Sequence, residues 1–139
     1  MLVLDTNVYL DAGRDDALRE RVAALVRARP DPLGLSSVVV AELLIGTSSP
    51  DERRLVLAAT VDVVPADHVL TPDRADWQTA ADALNALGGE SATKGRSFWN
   101  DLLIAASCAR AGATLITRNA EDFRRIGRVI SVAVVPRPT

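Results

Sequence analysis

The stretch Leu2-Val3-Leu4-Asp5-Thr6-Asn7 opens the chain and decides how the rest is interpreted. Its three apolar residues are typical of a short buried strand, and Asp, Thr and Asn are residue types that begin helices. Ligands of open α/β sheets gather at the carboxyl ends of the strands. Asp5 directly follows the first strand and is therefore expected at the functional edge of such a sheet.

Short apolar runs alternate with segments of helical periodicity along the rest of the chain. The predicted strands cover residues 2–4, 33–35, 61–64, 114–117 and 129–135. The predicted helices cover 15–29, 38–45, 51–59, 71–87 and 98–111, and residues 119–126 are predicted to form a short helix or a turn. Residues 88–97 are predicted to form a loop, and Pro72 is expected in the first turn of its helix. This alternation predicts an α/β domain with a mostly parallel sheet between helices.

The composition limits the classes of function. A length of 139 residues predicts a single domain over residues 1–139. One cysteine, Cys108, and one histidine, His68, exclude an internal disulfide and a thiolate zinc cluster, and they favour a reducing, cytoplasmic location. Both residues are interpreted as structural. Any metal must then be held by oxygen ligands, which select hard ions such as Mg²⁺ or Mn²⁺.

The charge balance argues against a general binder of polyanions. Sixteen basic residues stand against 18 acidic ones, and 15 of the basic residues are arginines, which suit bidentate contact with phosphate or carboxylate. No apolar run approaches the roughly 20 residues of a membrane helix, and no basic segment precedes an apolar signal sequence. Partner recognition is therefore expected from local patches, away from any membrane.

Four acidic residues stand out by their surroundings. Asp5 ends a strand, while Glu42 and Asp101 lie within apolar segments with no adjacent lysine or arginine; Asp122 follows the strand at 114–117 closely enough to reach the same edge. Buried carboxylates are costly without a partner, and converging ones repel unless a cation lies among them. The pattern therefore indicates a magnesium or manganese site suited to phosphodiester hydrolysis.

Each acid also has a purely structural interpretation. Asp5 can be a helix cap, Glu42 an exposed rim residue, Asp101 a cap for an apolar helix beginning at Leu102, and Asp122 a solvated acid in a first helical turn. All four would then be independent coincidences in one small domain, which favours the metal site.

The chain resembles the PIN-domain ribonucleases, and more narrowly the toxin of a VapBC-type toxin–antitoxin pair, over residues 1–135. The segments that carry the resemblance are LDTN (4–7), VAEL (40–43), DLLIAA (101–106) and TRNAEDF (117–123). The resemblance implies a three-layer α/β/α fold and a Mg²⁺- or Mn²⁺-dependent endoribonuclease that cuts single-stranded or structured RNA such as tRNA. It also implies a cognate antitoxin that inhibits the enzyme, and a homodimer.

By this resemblance, Asp5, Glu42 and Asp101 match the family's catalytic, metal-holding acids. The fourth position is open between Asn119 and Asp122. We favour Asp122 as the acid and Asn119 as an orienting group.

Supporting roles follow from the same resemblance. Thr6 matches a hydroxyl beside the first acid, the Thr117 hydroxyl is expected to anchor the last loop, and Asn7 is expected to cap the next helix. No side chain is an evident general base, so we expect the metal ion to activate water.

Contacts with RNA have several candidates. Lys94 and Arg96 lie in a glycine-rich segment that can adapt to a phosphate chain, although a solvated loop is the alternative. The sequence leaves two roles for Arg118: contact with an RNA phosphate, or a surface role or ion pair with an acid of the antitoxin. Trp99 is expected in the core rather than stacked on a base.

Three other functions compete with the nuclease. The same fold can be a catalytically inactive module that binds RNA or protein if the acids fail to converge. A DNA-directed flap nuclease is disfavoured because the chain has no room for a helical-arch insertion. A phosphoaspartyl phosphatase needs a second aspartate at position 7, where the chain has Asn7.

Overall fold

The computed structural model describes residues 1–88 and 95–139. Its strands are β1 (Leu2–Leu4), β2 (Leu33–Ser36), β3 (Val69–Leu70), β4 (Thr114–Thr117) and β5 (Ala133–Pro136). Its helices are α1 (Thr6–Arg14), α2 (Asp16–Ala28), α3 (Ser37–Ile45), α4 (Pro50–Ala59), α5 (Arg74–Leu87), α6 (Gly95–Ala111) and α7 (Ala120–Ile126), with a 3₁₀ turn at Ala66–His68. Within the described part, no helix is long and apolar enough to cross a bilayer.

The strands form one sheet in the order β3-β2-β1-β4-β5, and every neighbouring pair is parallel. Alternate residues of a strand face opposite sides of a sheet. Leu2 and Leu4 accordingly pack with α1 and α2 on one face, while Val3 joins the larger core on the other, which includes α6. The predicted α/β class and parallel sheet between helices are therefore confirmed.

The predicted strand at 61–64 is wrong. Residues 60–64 form turns in which the amides of Val63 and Val64 donate to the carbonyl of Thr60. Val61 and Val63 are exposed and only Val64 is buried, so the run packs as a turn with one inward side chain and not as a strand with a buried face. The third strand is instead the short edge strand β3.

Three predicted boundaries also shift. Pro72 precedes the helix, because α5 is capped by a reciprocal pair in which Asp73 accepts from the amide of Asp76 and Asp76 accepts from that of Asp73. Helix α6 begins at Gly95, so residues 95–97 are helical and not loop. The last strand begins at Ala133, because the residues before it form turns that follow α7.

Helix α6 is the centre of the larger core. Its residues 102–108 are all buried, and it packs along α5. Arg110 ties the two helices together: its Nε donates to Asp76 Oδ2 at 2.9 Å and lies 3.2 Å from Oδ2 of Asp73, the N-cap of α5. The Asp76 side chain is only 4% exposed. A buried carboxylate depends on such a partner.

We predict that Arg110→Ala lowers the free energy of unfolding by about 1–3 kcal/mol, because it leaves the buried carboxylate of Asp76 without its charged partner. Urea unfolding followed by circular dichroism measures the change. The control is Arg19→Ala, which breaks an exposed ion pair with Asp16 and should shift stability by no more than about 0.5 kcal/mol. Equal effects of the two substitutions would contradict the prediction.

Candidate functional site

Asp5 lies where β1 ends and α1 begins. Its amide donates to the carbonyl of Ile116 on β4 at 2.9 Å, and its Oδ1 accepts from the amide of Thr6 at 2.8 Å. Asp5 is therefore the N-cap of α1, as its structural interpretation predicted. Only 3% of the residue is exposed, so this cap also places a carboxylate in the interior at the edge of the sheet.

The second carboxylate oxygen of Asp5 is held by two side-chain donors. Thr117 Oγ1 donates to Oδ2 at 2.7 Å, and Asn7 Nδ2 donates to it at 3.0 Å. Thr117 Oγ1 in turn accepts from the amide of Asn119 at 3.0 Å. The Thr117 hydroxyl is thus hydrogen-bonded both to Asp5 and to the backbone of the loop after β4.

Asn7 does not cap the helix, contrary to the prediction, because Asp5 already occupies that position. Asn7 is buried in the first turn of α1, where its Oδ1 accepts from the amide of Arg118 at 3.0 Å. One side chain therefore ties the loop after β4 to the carboxylate of Asp5. No local sequence pattern predicts this contact, because Asn7 and Arg118 lie more than one hundred residues apart in the chain.

Glu42 is the second acid at this edge. Ser36 caps α3, and Glu42 follows in the middle of that helix, half-buried. Thr6 Oγ1 donates to Glu42 Oε1 at 2.7 Å, while the Thr6 amide holds Asp5. Thr6 is therefore a bridge between the two carboxylates, and Glu42 is not the freely solvated rim residue of the alternative interpretation.

The surroundings of Asp5 disfavour the charged form of its carboxylate. Burial raises the pKa of Asp5, and the negative charge of Glu42 raises it further. Hydrogen bonds from Thr117, Thr6 and Asn7 act in the opposite direction but do not cancel the effect. A cation placed between the two carboxylates would offset both the desolvation and the repulsion.

The other two acids lie on the helices that flank β4. Asp101 is half-buried in the second turn of α6; because that helix begins at Gly95, Asp101 is not a cap for an apolar helix starting at Leu102. Asp122 lies in the first turn of α7. Within residues 1–88 and 95–139, no three His, Cys, Asp or Glu side chains are gathered as a metal site. The structure brings Asp5 and Glu42 together and does not add Asp101 or Asp122 to them as a three-acid group.

A cavity of about 240 Å³ opens beside Glu42. It lies between α3 and the start of α6, and Ile45, Arg96, Ser97 and Asn100 line it with Glu42. Sequence reasoning identified Arg96 but missed Ser97 and Asn100 as site residues. The available signal was helical spacing: Ser97 lies three residues before Asn100 and four before Asp101, which places it on the same side of α6 as each of them. Lys94, the other predicted RNA contact, lies outside the described residues.

Arg118 pairs with an acid of its own chain. Its Nη1 donates to both oxygens of Asp11, at 2.8 and 3.0 Å, and Arg137 Nε donates to Asp11 Oδ2 at 3.1 Å. Asp11 lies one helical turn after Asn7 on α1, so the two face the same loop. Neither Asp11 nor Arg137 was identified from the sequence.

Trp99, Cys108 and His68 lie outside the group formed by Asp5 and Glu42. Trp99 packs against Trp77 with ring centroids 5.9 Å apart and is partly buried against the larger core, as expected. Cys108 is fully buried, and burial raises the pKa of its thiol to about 12, so it is protonated at neutral pH. His68 lies in the 3₁₀ turn before the edge strand.

A second, larger concavity is apolar and lies away from the acids. It has a volume of about 700 Å³ between α1, α2 and α4, and its lining includes Val8, Leu10, Val22 and Leu55. Leu10 and Leu55 are 45% and 70% exposed. A single-domain protein leaves such an apolar surface open chiefly where a partner or ligand binds.

Comparisons with known proteins agree with this architecture. A sequence model of the PIN domain matches residues 2–129. VapBC-1 from nontypeable Haemophilus influenzae is 27% identical with a TM-score of 0.68, covering 97% of this chain and 96% of that one. VapBC-5 from Mycobacterium tuberculosis, a member of the VapBC family of toxin–antitoxin systems, is 27% identical with a TM-score of 0.55, covering 97% of each chain.

A third similar structure is FitAB bound to the IR36 DNA fragment. It is 24% identical with a TM-score of 0.69, covering 99% of this chain and 95% of that one, and at this identity it supports the fold alone. No curated protein matches the sequence.

The raised pKa of Asp5 leads to a prediction about stability. In the folded state Asp5 binds a proton at a higher pH than in the unfolded state. The contribution of Asp5 to the free energy of unfolding is therefore fully present below the ordinary pKa of aspartate. This contribution is lost as the pH rises through the raised pKa of Asp5. With divalent ions chelated, we expect the melting temperature to rise as the pH falls through this window.

Comparing two variants isolates the group responsible. Asp5→Asn should remove this part of the slope of melting temperature against pH, while Asp62→Asn, which removes an exposed acid in the turn after α4, is the control for loss of a charge. Parallel slopes for the wild type and Asp5→Asn would show that Asp5 is not the titrating group.

Proposed function

The chain belongs to the PIN-domain family, and on this premise we propose that it is a metal-dependent endoribonuclease, the toxin of a type II toxin–antitoxin pair. Its substrate in this proposal is RNA, single-stranded or structured such as tRNA, and the bond it hydrolyses is a phosphodiester. The observation that carries the proposal is the carboxylate pair Asp5 and Glu42, bridged by Thr6 at the end of β1.

The donor chemistry of the pair fits Mg²⁺ or Mn²⁺. Both residues offer carboxylate oxygens, the ligands that hard cations prefer. Burial, and after it the charge of Glu42, raise the pKa of Asp5, and a divalent ion bound by the two carboxylates would favour the charged form of Asp5. We propose that Asp5 and Glu42 supply the first ligands and that Asp101 and Asp122 complete the set.

Asp101 is proposed as a ligand on helical geometry. Ser97 and Asn100 line the cavity beside Glu42, and Asp101 lies four residues after Ser97 on the same face of α6. Asp122 is proposed on the resemblance together with its place in the first turn of α7. Asn119, whose amide is held by Thr117, remains proposed as an orienting residue.

The protein's own residues position and polarise this site. A bound divalent ion would supply activation of water and neutralisation of charge on the phosphate. Thr6 fixes the spacing of Asp5 and Glu42, and Asn7 and Thr117 hold Asp5 Oδ2 in one orientation. Arg96 is proposed to contact the RNA backbone from the rim of the cavity. Lys94 remains a predicted RNA contact.

The apolar groove between α1, α2 and α4 is the proposed docking site of the antitoxin. Two of the similar structures are VapBC proteins, and one is described as a member of a toxin–antitoxin family. A groove of this shape accepts the apolar face of an amphipathic helix. Arg19 and Arg27 lie among its lining residues and favour acidic residues on that helix. A homodimer remains a prediction from the resemblance.

The nuclease proposal is tested by cleavage of a labelled single-stranded RNA and of tRNA. The wild type should cleave with Mg²⁺ or Mn²⁺ and stop on addition of a chelator. Asp5→Asn and Glu42→Gln should each lower the rate by roughly a hundredfold or more, because each removes a proposed metal ligand. The matched control, Asp62→Asn, removes an exposed acid far along the chain and should cleave at the wild-type rate.

Two outcomes would contradict the proposal. Cleavage that survives both the chelator and the two substitutions would place the activity elsewhere. A folded wild type that cleaves neither RNA with any divalent ion would favour the inactive binding module.

The antitoxin groove makes a separate prediction. Leu55→Asp places a charge on the groove wall and should weaken binding of the antitoxin by at least about tenfold, because it sets an unpaired charge against an apolar helix face. The control Val63→Asp changes an apolar residue that is 62% exposed and does not line the groove, and this variant should bind the antitoxin with wild-type affinity. Calorimetric titration with the proposed cognate antitoxin measures both affinities; equal affinities would rule out this groove.

A further inference from the structure

The Asp11 carboxylate gathers two arginines at the edge of the sheet. It accepts from Arg118 Nη1 at 2.8 Å and from Arg137 Nε at 3.1 Å. We propose that Arg118 and Arg137, oriented by Asp11, form a binding subsite for an RNA phosphate next to the one that is cleaved. This inference rests on the proposed function and adds to it the residues that bind the RNA backbone.

The arginine pair is tied directly to the acid pair. Asn7 donates to Asp5 Oδ2 and accepts from the Arg118 amide, so a single side chain separates Arg118 from Asp5. Thr117, the residue before Arg118, also donates to Asp5 Oδ2. The position of Arg118 relative to the proposed reaction site is therefore fixed by two short hydrogen-bonded paths.

The charge of the cluster suits a phosphate. Two guanidinium groups share one carboxylate, which leaves one positive charge in excess in a chain of formal net charge −2. The Arg118 side chain is 52% exposed and meets Asp11 through Nη1 alone. Its Nε and Nη2 have no partner in the part of the chain that the structure describes, so one edge of the planar group can receive a phosphate.

Sheet topology places these cations opposite Arg96. Arg96 lines the cavity beside Glu42, whose helix α3 follows β2, whereas Arg118 and Arg137 directly follow β4 and β5. Asp5, at the end of the central strand, lies between them in the strand order. An RNA strand crossing this edge would meet a cation on each side of the acids, which a site made only of carboxylates needs for binding a polyanion.

A purely structural role for Arg118 makes different predictions. The carboxyl-terminal segment is already held by the Arg137 amide, which donates to the Thr117 carbonyl at 2.9 Å. If Asp11 served only to fasten this segment, loss of Asp11 and loss of Arg118 would have the same consequence. If the arginines bind phosphate, removing Asp11 frees positive charge, whereas removing Arg118 deletes it.

The test is binding of a fluorescein-labelled single-stranded RNA to the full chain in excess chelator, followed by anisotropy at several salt concentrations. Arg118→Ala and Arg137→Ala should each weaken binding about fivefold and lower the slope of log K against log salt by about 0.7. Arg54→Ala, which removes an exposed arginine paired with Asp51 on α4, should change neither quantity. Asp11→Asn should bind at least as tightly as the wild type.

The outcomes separate this inference from the function on which it rests. In one outcome, folded Arg118→Ala and Arg137→Ala keep the wild-type affinity and salt slope while Asp5→Asn remains inactive in cleavage. That result would overturn the phosphate subsite and leave the nuclease proposal intact. Equal weakening by Asp11→Asn and Arg118→Ala would also overturn it, as expected for a structural fastening. A folded wild type that neither binds nor cleaves RNA would overturn both proposals.

Discussion

The carboxylate of Asp5 is the constraint around which this edge of the molecule is organised. It is almost wholly buried, yet it receives donors from the Thr6 amide and from the side chains of Asn7 and Thr117. These donors belong to α1 and β4, so one charged group joins the start of the first helix to the end of a neighbouring strand. Its pKa is nevertheless raised, because burial and Glu42 outweigh the hydrogen bonds.

The same arrangement explains why the site lies where it does. Parallel strands bring their carboxyl ends to one edge, and the order β3-β2-β1-β4-β5 puts the end of β1 in the middle of it. Glu42 comes from the helix after β2, while Arg118 comes from the loop after β4. Acids and cations far apart in the chain are thus brought next to one another by strand order rather than by sequence proximity.

Much of the fold could be predicted from local pattern. The apolar runs of β1 and β4 and the periodicity of α2 and α6 identify these elements. An element that buries one face has apolar residues at regular intervals in its sequence. The strand predicted at residues 61–64 is wrong because β-branched residues alone do not make a strand. These valines pair with no strand of the sheet in the described structure. Asp73 likewise displaced the expected helix start from Pro72, since a reciprocal cap defines the first turn more strongly than proline does.

The site was only partly predictable. Residue type and apolar surroundings made Asp5 and Glu42 candidates, and the structure places these two acids near each other. The hydrogen bonds that Thr6 and Asn7 form around them depend on tertiary contacts with no local signal. The Asp11 cluster was missed for the same reason, since both of its arginines lie more than one hundred residues away. Ionic contacts across such distances are set by topology, which composition and periodicity do not encode.

The central claim is that Asp5 and Glu42 form part of a site for a hard divalent ion. Calorimetric titration of Mn²⁺ into the chelator-treated protein without RNA tests it most directly. The account predicts saturable binding by the wild type, weakened at least about tenfold in both Asp5→Asn and Glu42→Gln. A wild type without saturable binding, or three proteins with the same affinity, would contradict it.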